Sequence, residues 1–167
     1  MPSLASITDT NIQDFIVRAL ESVSTTMIRE PVRLVEKTTE ALYEGLSNRV
    51  FVLSRVGFIG EINGSVHLCI PDEFAQHAAA TVLGMTPAEV AEGGHDLVHD
   101  VIGEITNVTV GGFKNALCDL GFPCKLTLPT VVRGDGVQVA SLKGMSRHIF
   151  QFDCGTHRIV ADIQMKD

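Results

Sequence analysis

The stretch Asp96–Leu120, DLVHDVIGEITNVTVGGFKNALCDL, constrains the fold more than any other part of the chain. Leu97, Val98, Val101, Ile102, Ile105, Val108, Phe113, Ala116, Leu117 and Leu120 recur at steps of three and four, the spacing of an amphipathic helix with one buried stripe. Local propensity runs the other way. Val101, Ile102, Ile105, Thr106, Val108, Thr109 and Val110 are β-branched, and Gly111-Gly112 interrupts the run. Periodicity decides for a helix, because burial of a continuous apolar face outweighs tenths of a kilocalorie per residue. The opposite stripe carries Asp100, Glu104, Asn107 and Gly111, so a carboxylate, a carboxamide and a bare backbone share one exposed ridge.

The segments around this helix set the fold class. Thr10 or Asn11 is placed to cap a first helix over Ile12–Ile28, ended by Pro31. Val32–Lys37, Val50–Gly60 and Ser65–Ile70 read as strands, the last two joined by an Asn63-Gly64 hairpin turn. Pro71-Asp72 opens a short helix with Phe74, Ala75, Ala78, Ala79, Val82 and Leu83 inward, and Gly84 stops it. Met85–Gly94 reads as a connector with at most one helical turn at Pro87. Beyond the long helix come strands over Lys125–Val132, Val137–Lys143, Arg147–Cys154 and Thr156–Met165, with turns at Asp135-Gly136 and Gly155. Strands in consecutive hairpins, with helices outside the alternation, predict an α+β domain: an antiparallel β-sheet with two long helices packed on it, as one domain over residues 1–167.

Composition narrows the function. Thirteen basic against 20 acidic residues give a net charge of −7, and Trp is absent, so the chain offers neither a basic footprint nor a stacking platform for nucleic acid. No apolar run approaches a membrane span, and the N-terminal stretch has neither the basic start nor the apolar centre of a signal peptide, so a cytoplasmic protein is expected. Cys69, Cys118, Cys124 and Cys154 form no CxxC pair and read as reduced thiols.

Two constellations carry chemistry. His95-Asp96-Leu97-Val98-His99 sets imidazoles four residues apart, as in a zinc-binding helix, but Asp stands where a longer Glu base belongs and no third ligand is evident. A solvated or capping His95 is the plainer reading. The other is the ridge. Gly103-Glu104-Ile105-Thr106-Asn107, followed by Gly111 and by Lys114-Asn115-Ala116-Leu117, resembles the GE-x-x-N…G…AL helix of the CheC/CheX/FliY family, phosphatases of the phosphorylated chemotaxis regulator CheY. The flanks agree: Gly57–Val66 resembles that family's GF-x-G-x-x-x-G-S-V hairpin, and Leu128-Pro129-Thr130-Val131 its L-P-T-V segment. A single Glu-x-x-N copy looks more like CheX than CheC. The first helix has Glu21-Ser22-Val23-Ser24 where a second copy would stand, and Ser24 lacks the amide.

The resemblance implies a CheX-like fold, a homodimer, and hydrolysis of the aspartyl phosphate of a CheY-like receiver domain. Asn107 is expected to orient the attacking water and Glu104 to engage the receiver's lysine, with no cofactor of the protein's own and Mg²⁺ supplied by the phosphorylated partner. A carboxamide suits that role, because its oxygen accepts from water while its NH₂ donates to a phosphoryl oxygen. Asp100, Gly111 and Lys114 are expected partner contacts, Gly111 by letting another backbone come close. Plainer readings stand beside these: solvated polar residues at Glu104, Asn107, Asp100 and Lys114, and packing against the sheet at Gly111-Gly112. A module that binds phosphorylated receivers without hydrolysing them would need the same residues.

Overall fold

The computed structural model describes residues 3–40 and 49–166. After one 3-10 turn (Leu4–Ser6), helix α1 runs over Asp9–Val23 and continues as a π-type turn through Ser24–Ile28. Its cap is Thr8 rather than Thr10 or Asn11. Thr8 Oγ1 accepts the Asn11 N–H at 3.1 Å while Asn11 Oδ1 accepts the Thr8 N–H at 3.0 Å, a reciprocal box that places Asn11 inside the first turn. Arg29, at φ 60°, turns the chain out of the helix before Pro31.

Strands β1 (Val32–Thr38), β2 (Val50–Gly60), β3 (Asn63–Pro71), β4 (Cys124–Leu126), β5 (Thr130–Asp135), β6 (Ser146–Cys154) and β7 (His157–Lys166) form one sheet. Its order is β1-β6-β7-β3-β2-β4, with β5 also on β2, and every pairing is antiparallel. The expected α+β class is therefore the observed one. Strand β7 lies between β6 and β3, inside the sheet.

The single strand expected over Lys125–Val132 is split into β4 and β5, because residues 127–129 leave the regular pairing where Thr127 bonds Gly57 with its side chain as well as its backbone. Three further local expectations fail. Phe58 pairs with Gly64, so the β2–β3 turn is Glu61-Ile62 and Asn63-Gly64 begins β3. Gly64 is needed for closeness rather than for a turn: a Cβ there would stand 2.3 Å from the Gln164 carbonyl of β7. The connector after the second helix is largely helical. α2 (Asp72–Leu83) ends at left-handed Gly84, and α3 already starts at Pro87 under a Thr86–Glu89 capping box, running to Asp119 with a break at Gly94 (φ 77°, ψ −177°). Leu83, expected inward, is exposed at the end of α2.

The third failure is the strand expected over Val137–Lys143, which is irregular. Its backbone groups bond side chains of the sheet's outer face instead of a neighbouring strand. Gln164 accepts the Leu142 N–H and donates to the Ala140 carbonyl, both at 2.9 Å, and Arg147 donates to the Val139 carbonyl at 2.9 Å. Arg147 also grips buried Asp162 through two bonds of 3.1 and 2.7 Å. Val139 there joins Phe51, Cys69, Ile149 and Val160 in a small second core.

The main core lies on the other face. Val52, Val56, Phe58, Val66, Leu68, Ile70, Phe150, Phe152, Ala161 and Ile163 of the sheet meet Ile16, Leu20, Phe74, Ala78, Ile102, Ile105, Phe113 and Leu117 of the helices. Burying this many aliphatic and aromatic side chains, at about 1.5–3 kcal/mol each, fixes α3 on the sheet and thereby fixes which stripe of α3 faces out.

Candidate functional site

Helix α3 holds the site because the middle of its apolar stripe is buried. Val98, Val101, Ile102, Ile105, Phe113 and Leu117 are buried as the periodicity requires, and Val110 with them, whereas Leu97 and Ala116 are half-buried and Val108 and Leu120, also expected inward, are 41% and 43% exposed. The two threonines that weaken the helix on propensity are fully buried and bond their hydroxyls to their own backbone. Thr106 Oγ1 donates to the Ile102 carbonyl at 2.7 Å, and Thr109 Oγ1 to the Ile105 carbonyl at 2.8 Å.

The opposite side carries the ridge. Asp100 and Glu104 are exposed, and Asn107, Gly111 and Lys114 are half-buried. Among the described residues Glu104 and Asn107 make no side-chain hydrogen bond or ion pair, so both present unengaged polar groups on one face, three residues apart.

Glycines fix what flanks the ridge. A Cβ on Gly103 would touch Pro129 at 3.7 Å and Val131 at 3.5 Å, and one on Gly111 would reach Leu126 at 3.9 Å. The segment 126–131 thus runs beside α3 with Asn107 between these two contacts. Here β4 and β5 share the edge of β2, pairing with Phe58–Gly60 and with Val50–Arg55 respectively. Between them Thr127 is clamped to Gly57, its N–H donating to the Gly57 carbonyl and its Oγ1 accepting the Gly57 N–H, both at 2.8 Å. On the far side of α3, Gly112 meets α1, where a Cβ on the glycine would stand 3.3 Å from that of Ala19. Of the glycine pair, then, one packs on a helix rather than on the sheet.

A groove of about 400 Å³ opens between α1 and α3, with Phe15, Arg18, Ser22, Gly112, Asn115 and Asp119 on its walls. It begins past Asn107 toward the end of α3, and neither Glu104 nor Asn107 lines it. The Glu21–Ser24 segment of α1 offers no second ridge, since Ser24 is buried and its hydroxyl donates to the Glu30 carbonyl.

Other candidates resolve differently. His95, just after the Gly94 break, is exposed, and His99 is half-buried with Nε2 enclosed and unpartnered. Among the described residues no three His, Cys, Asp or Glu side chains converge as metal ligands. All four cysteines are free thiols, and burial pushes Cys124 and Cys154 up to about 11.

One pair escapes sequence reading. Arg133 of β5 binds Asp72 at the start of α2 through Nε–Oδ1 (2.8 Å) and NH2–Oδ2 (3.0 Å). That guanidinium bond, opposed by burial and assisted by Gln76 and the field of His95, holds the Asp72 carboxyl below its ordinary range. The pair ties the sheet edge to α2 beneath the first half of α3. No local signal announces it, because the partners are 61 residues apart.

Helices layered on one face of an antiparallel sheet are the architecture this chain shares with CheX and CheC-like chemotaxis proteins of known structure. The model of the family described as chemotaxis phosphatase CheX matches residues 52–153, more than half of the sequence. This chain belongs to the CheX family. Among solved structures it is similar to the chemotaxis protein CheX from Vibrio vulnificus, with 24% identity, TM-score 0.77, and 93% of this chain and 96% of that one covered. A CheC-like superfamily protein from Shewanella sp. PV-4 aligns over 96% of this chain and 100% of its own, with 21% identity and TM-score 0.78. The CheX–CheY–BeF₃–Mg²⁺ complex from Borrelia burgdorferi aligns over 93% and 98%, with 20% identity and TM-score 0.71. At these identities the likeness shows the fold alone. No curated protein matches the sequence. Among the described residues no helix is long and apolar enough to cross a membrane.

Proposed function

We propose that this protein hydrolyses the aspartyl phosphate of a CheY-like receiver domain, with Asn107 ordering the attacking water and Glu104 engaging the receiver's lysine. The observation that carries the reading is the α3 ridge, on which Glu104 and Asn107 stand on one face with no partner among the described residues. Family membership and the relative solved with CheY support it. An acyl phosphate is intrinsically labile, and a receiver's recessed site already gathers charge around the phosphoryl oxygens. Hydrolysis there lacks an in-line water, which a side chain inserted from outside can hold.

The carboxamide of Asn107 accepts a hydrogen bond from that water through Oδ1 and donates one to a phosphoryl oxygen through Nδ2. The water oxygen bonds to phosphorus as the bond from phosphorus to the aspartyl oxygen breaks. The aspartate leaves as carboxylate and the water's protons stay with the phosphate and solvent, since an amide takes none. A Mg²⁺ ion held by the receiver would supply charge neutralisation at the phosphoryl oxygens. Glu104, one turn before Asn107, pairs with the receiver's lysine and sets the depth of insertion. Positioning of this kind, worth about 2.7 kcal/mol, gives a rate gain of roughly a hundredfold.

We also infer a homodimer joined through the sheets. Strand β1 pairs only with β6 among the described residues, leaving an open edge for a second copy. Light scattering at micromolar concentration tests it, and a monomer mass rejects it.

The decisive experiment follows phosphate release from a Mg²⁺-loaded phosphorylated CheY-type receiver. Acceleration by wild type that Asn107→Ala abolishes, with binding retained, is the expected result. Binding without acceleration replaces hydrolysis by an adaptor role.

A further inference from the structure

Leu128 is 87% exposed, more than Ile59 at 61% and every other large hydrophobic residue among those described. An isolated surface leucine needs no explanation by itself. This one stands on backbone fixed on both sides. Thr127 is clamped to Gly57 by two bonds of 2.8 Å, Pro129 packs where Gly103 of α3 leaves room, and Val131 pairs with Ser54. With its backbone already fixed, this leucine has only its side-chain rotamers left to order on contact.

Its position gives the contact a purpose. The contacts of Gly103 with Pro129 and of Gly111 with Leu126 bracket Asn107, which places residues 127 and 128 alongside it. Val108, 41% exposed, adjoins Asn107 on the helix itself. The ridge amide thus has an apolar residue on its strand flank and another on its helix flank. A partner that brings a phosphoryl group to Asn107 therefore approaches the flank of the ridge on which Leu128 stands exposed.

We propose that Leu128 is a docking residue, seating against an aliphatic patch that borders the phosphoaspartate pocket of the receiver and sealing that flank against bulk water. The inference rests on the receiver-phosphatase reading above and adds the contact that sets affinity. Apolar side chains around a polar centre serve by excluding water, so their loss weakens binding more than chemistry.

The test measures phosphate release against receiver concentration for wild type, Leu128→Ala, Leu128→Asp and Leu142→Ala. Leu142 is also exposed but lies on the outer-face segment, away from the ridge, and serves as the control. For Leu128→Ala, KM rises about five- to tenfold and kcat stays within about twofold, and the rise is larger for Leu128→Asp. Leu142→Ala matches wild type. Equal KM for wild type and Leu128→Asp overturns the inference while leaving the phosphatase reading intact, and a fall in kcat at constant KM overturns it in favour of a positioning role.

Titration with beryllofluoride-loaded receiver separates the two readings. If wild type binds without accelerating release, the phosphatase reading fails, and a lower affinity for Leu128→Asp still sustains docking. If wild type neither binds nor accelerates, both fall. Because Leu128 is solvated, thermal unfolding of Leu128→Ala within a degree or two of wild type confirms that the comparison reports contact and not folding.

Discussion

Helices α1 and α3 lie on the same face of the sheet and begin alike, with Thr8–Asn11 and Thr86–Glu89 capping boxes. They differ in where their polar side chains go. In α1 the last hydroxyls are absorbed by backbone: Ser24 bonds the Glu30 carbonyl, and Thr25 and Thr26 bond the carbonyls of Glu21 and Ser22. In α3 the hydroxyls of Thr106 and Thr109 are absorbed in the same way, but on the buried side, and Glu104 and Asn107 stay free on the other. α1 also leaves Asp14, Arg18 and Glu21 exposed, so the two helices differ in which polar groups share a face: α3 sets a carboxylate and a carboxamide one turn apart beside the segment 126–131. A reactive face is made by what the rest of the fold does not touch.

The comparison breaks most visibly at its polar ends. Asn107→Ala is expected to remove the rate acceleration, a loss of about a hundredfold or roughly 2.7 kcal/mol, with unfolding unchanged. Ser24→Ala is expected to do the reverse, costing about 1–2 kcal/mol in a urea titration, as the Glu30 carbonyl loses its donor, with kcat intact. A large kinetic effect at Ser24 would show that α1 contributes to the site after all.

The neighbouring glycines sharpen it next. A Cβ on Gly112 would stand 3.3 Å from that of Ala19, so Gly112→Val forces α1 and α3 apart and should cost about 2 kcal/mol in denaturant titration. Gly111 has only Leu126 at 3.9 Å, so Gly111→Ala should be neutral or up to about 1 kcal/mol stabilising while weakening receiver binding. The caps should be alike: Thr8→Ala and Thr86→Ala are each expected to lose about 1 kcal/mol of stability.

The smallest effect is one of pH and belongs to α1. His148 of β6 lies buried near Asp9 at the start of α1, and burial, then the charge of Lys37 on β1, lowers its pKa from the ordinary 6.5, Asp9 acting in the opposite sense. The unfolded chain then binds a proton that the folded chain resists, so stability falls as pH drops below 6.5. His67, brought down to about 4 by burial and Arg55, adds a loss of the same sign. The readout is therefore the difference between wild type and His148→Asn in urea midpoint from pH 7 to pH 5, with a shallower decline in the variant.

Much of this molecule is legible in its residues, because periodicity records burial. The α3 stripe, the β2 boundaries, and the turns at Gly136 (φ 65°) and Gly155 (φ 60°) stand where alternation and punctuation put them. The ridge is visible for the same reason, as the complement of a buried stripe. Legibility stops where a long-range partner decides. Gly64 looks like a turn glycine until β7 is beside it, and Val137–Lys143 look like a strand until Arg147 takes the Val139 carbonyl and Gln164 the backbone groups of Ala140 and Leu142. Val108 falls in the apolar repeat, yet nothing covers it among the described residues. The segment beside Asn107 is recognisable as a family motif, but not as a fixed leucine, since its geometry comes from Gly57, 70 residues before Thr127.

The place of β7 has a consequence for how the chain is made. It is the last of these strands to leave the ribosome, yet it sits between β6 and β3, so the sheet has no continuous hydrogen-bond path from β1 to β2 until it arrives. Before then the β2–β3 hairpin offers an unpaired edge along Asn63–Cys69. The strands on which α3 rests, β2 to β5, all precede His157, so a nascent chain stalled there already holds the Glu-x-x-Asn ridge outward. What it lacks is cover for β3, and that open edge is the place where aggregation or chaperone capture would begin.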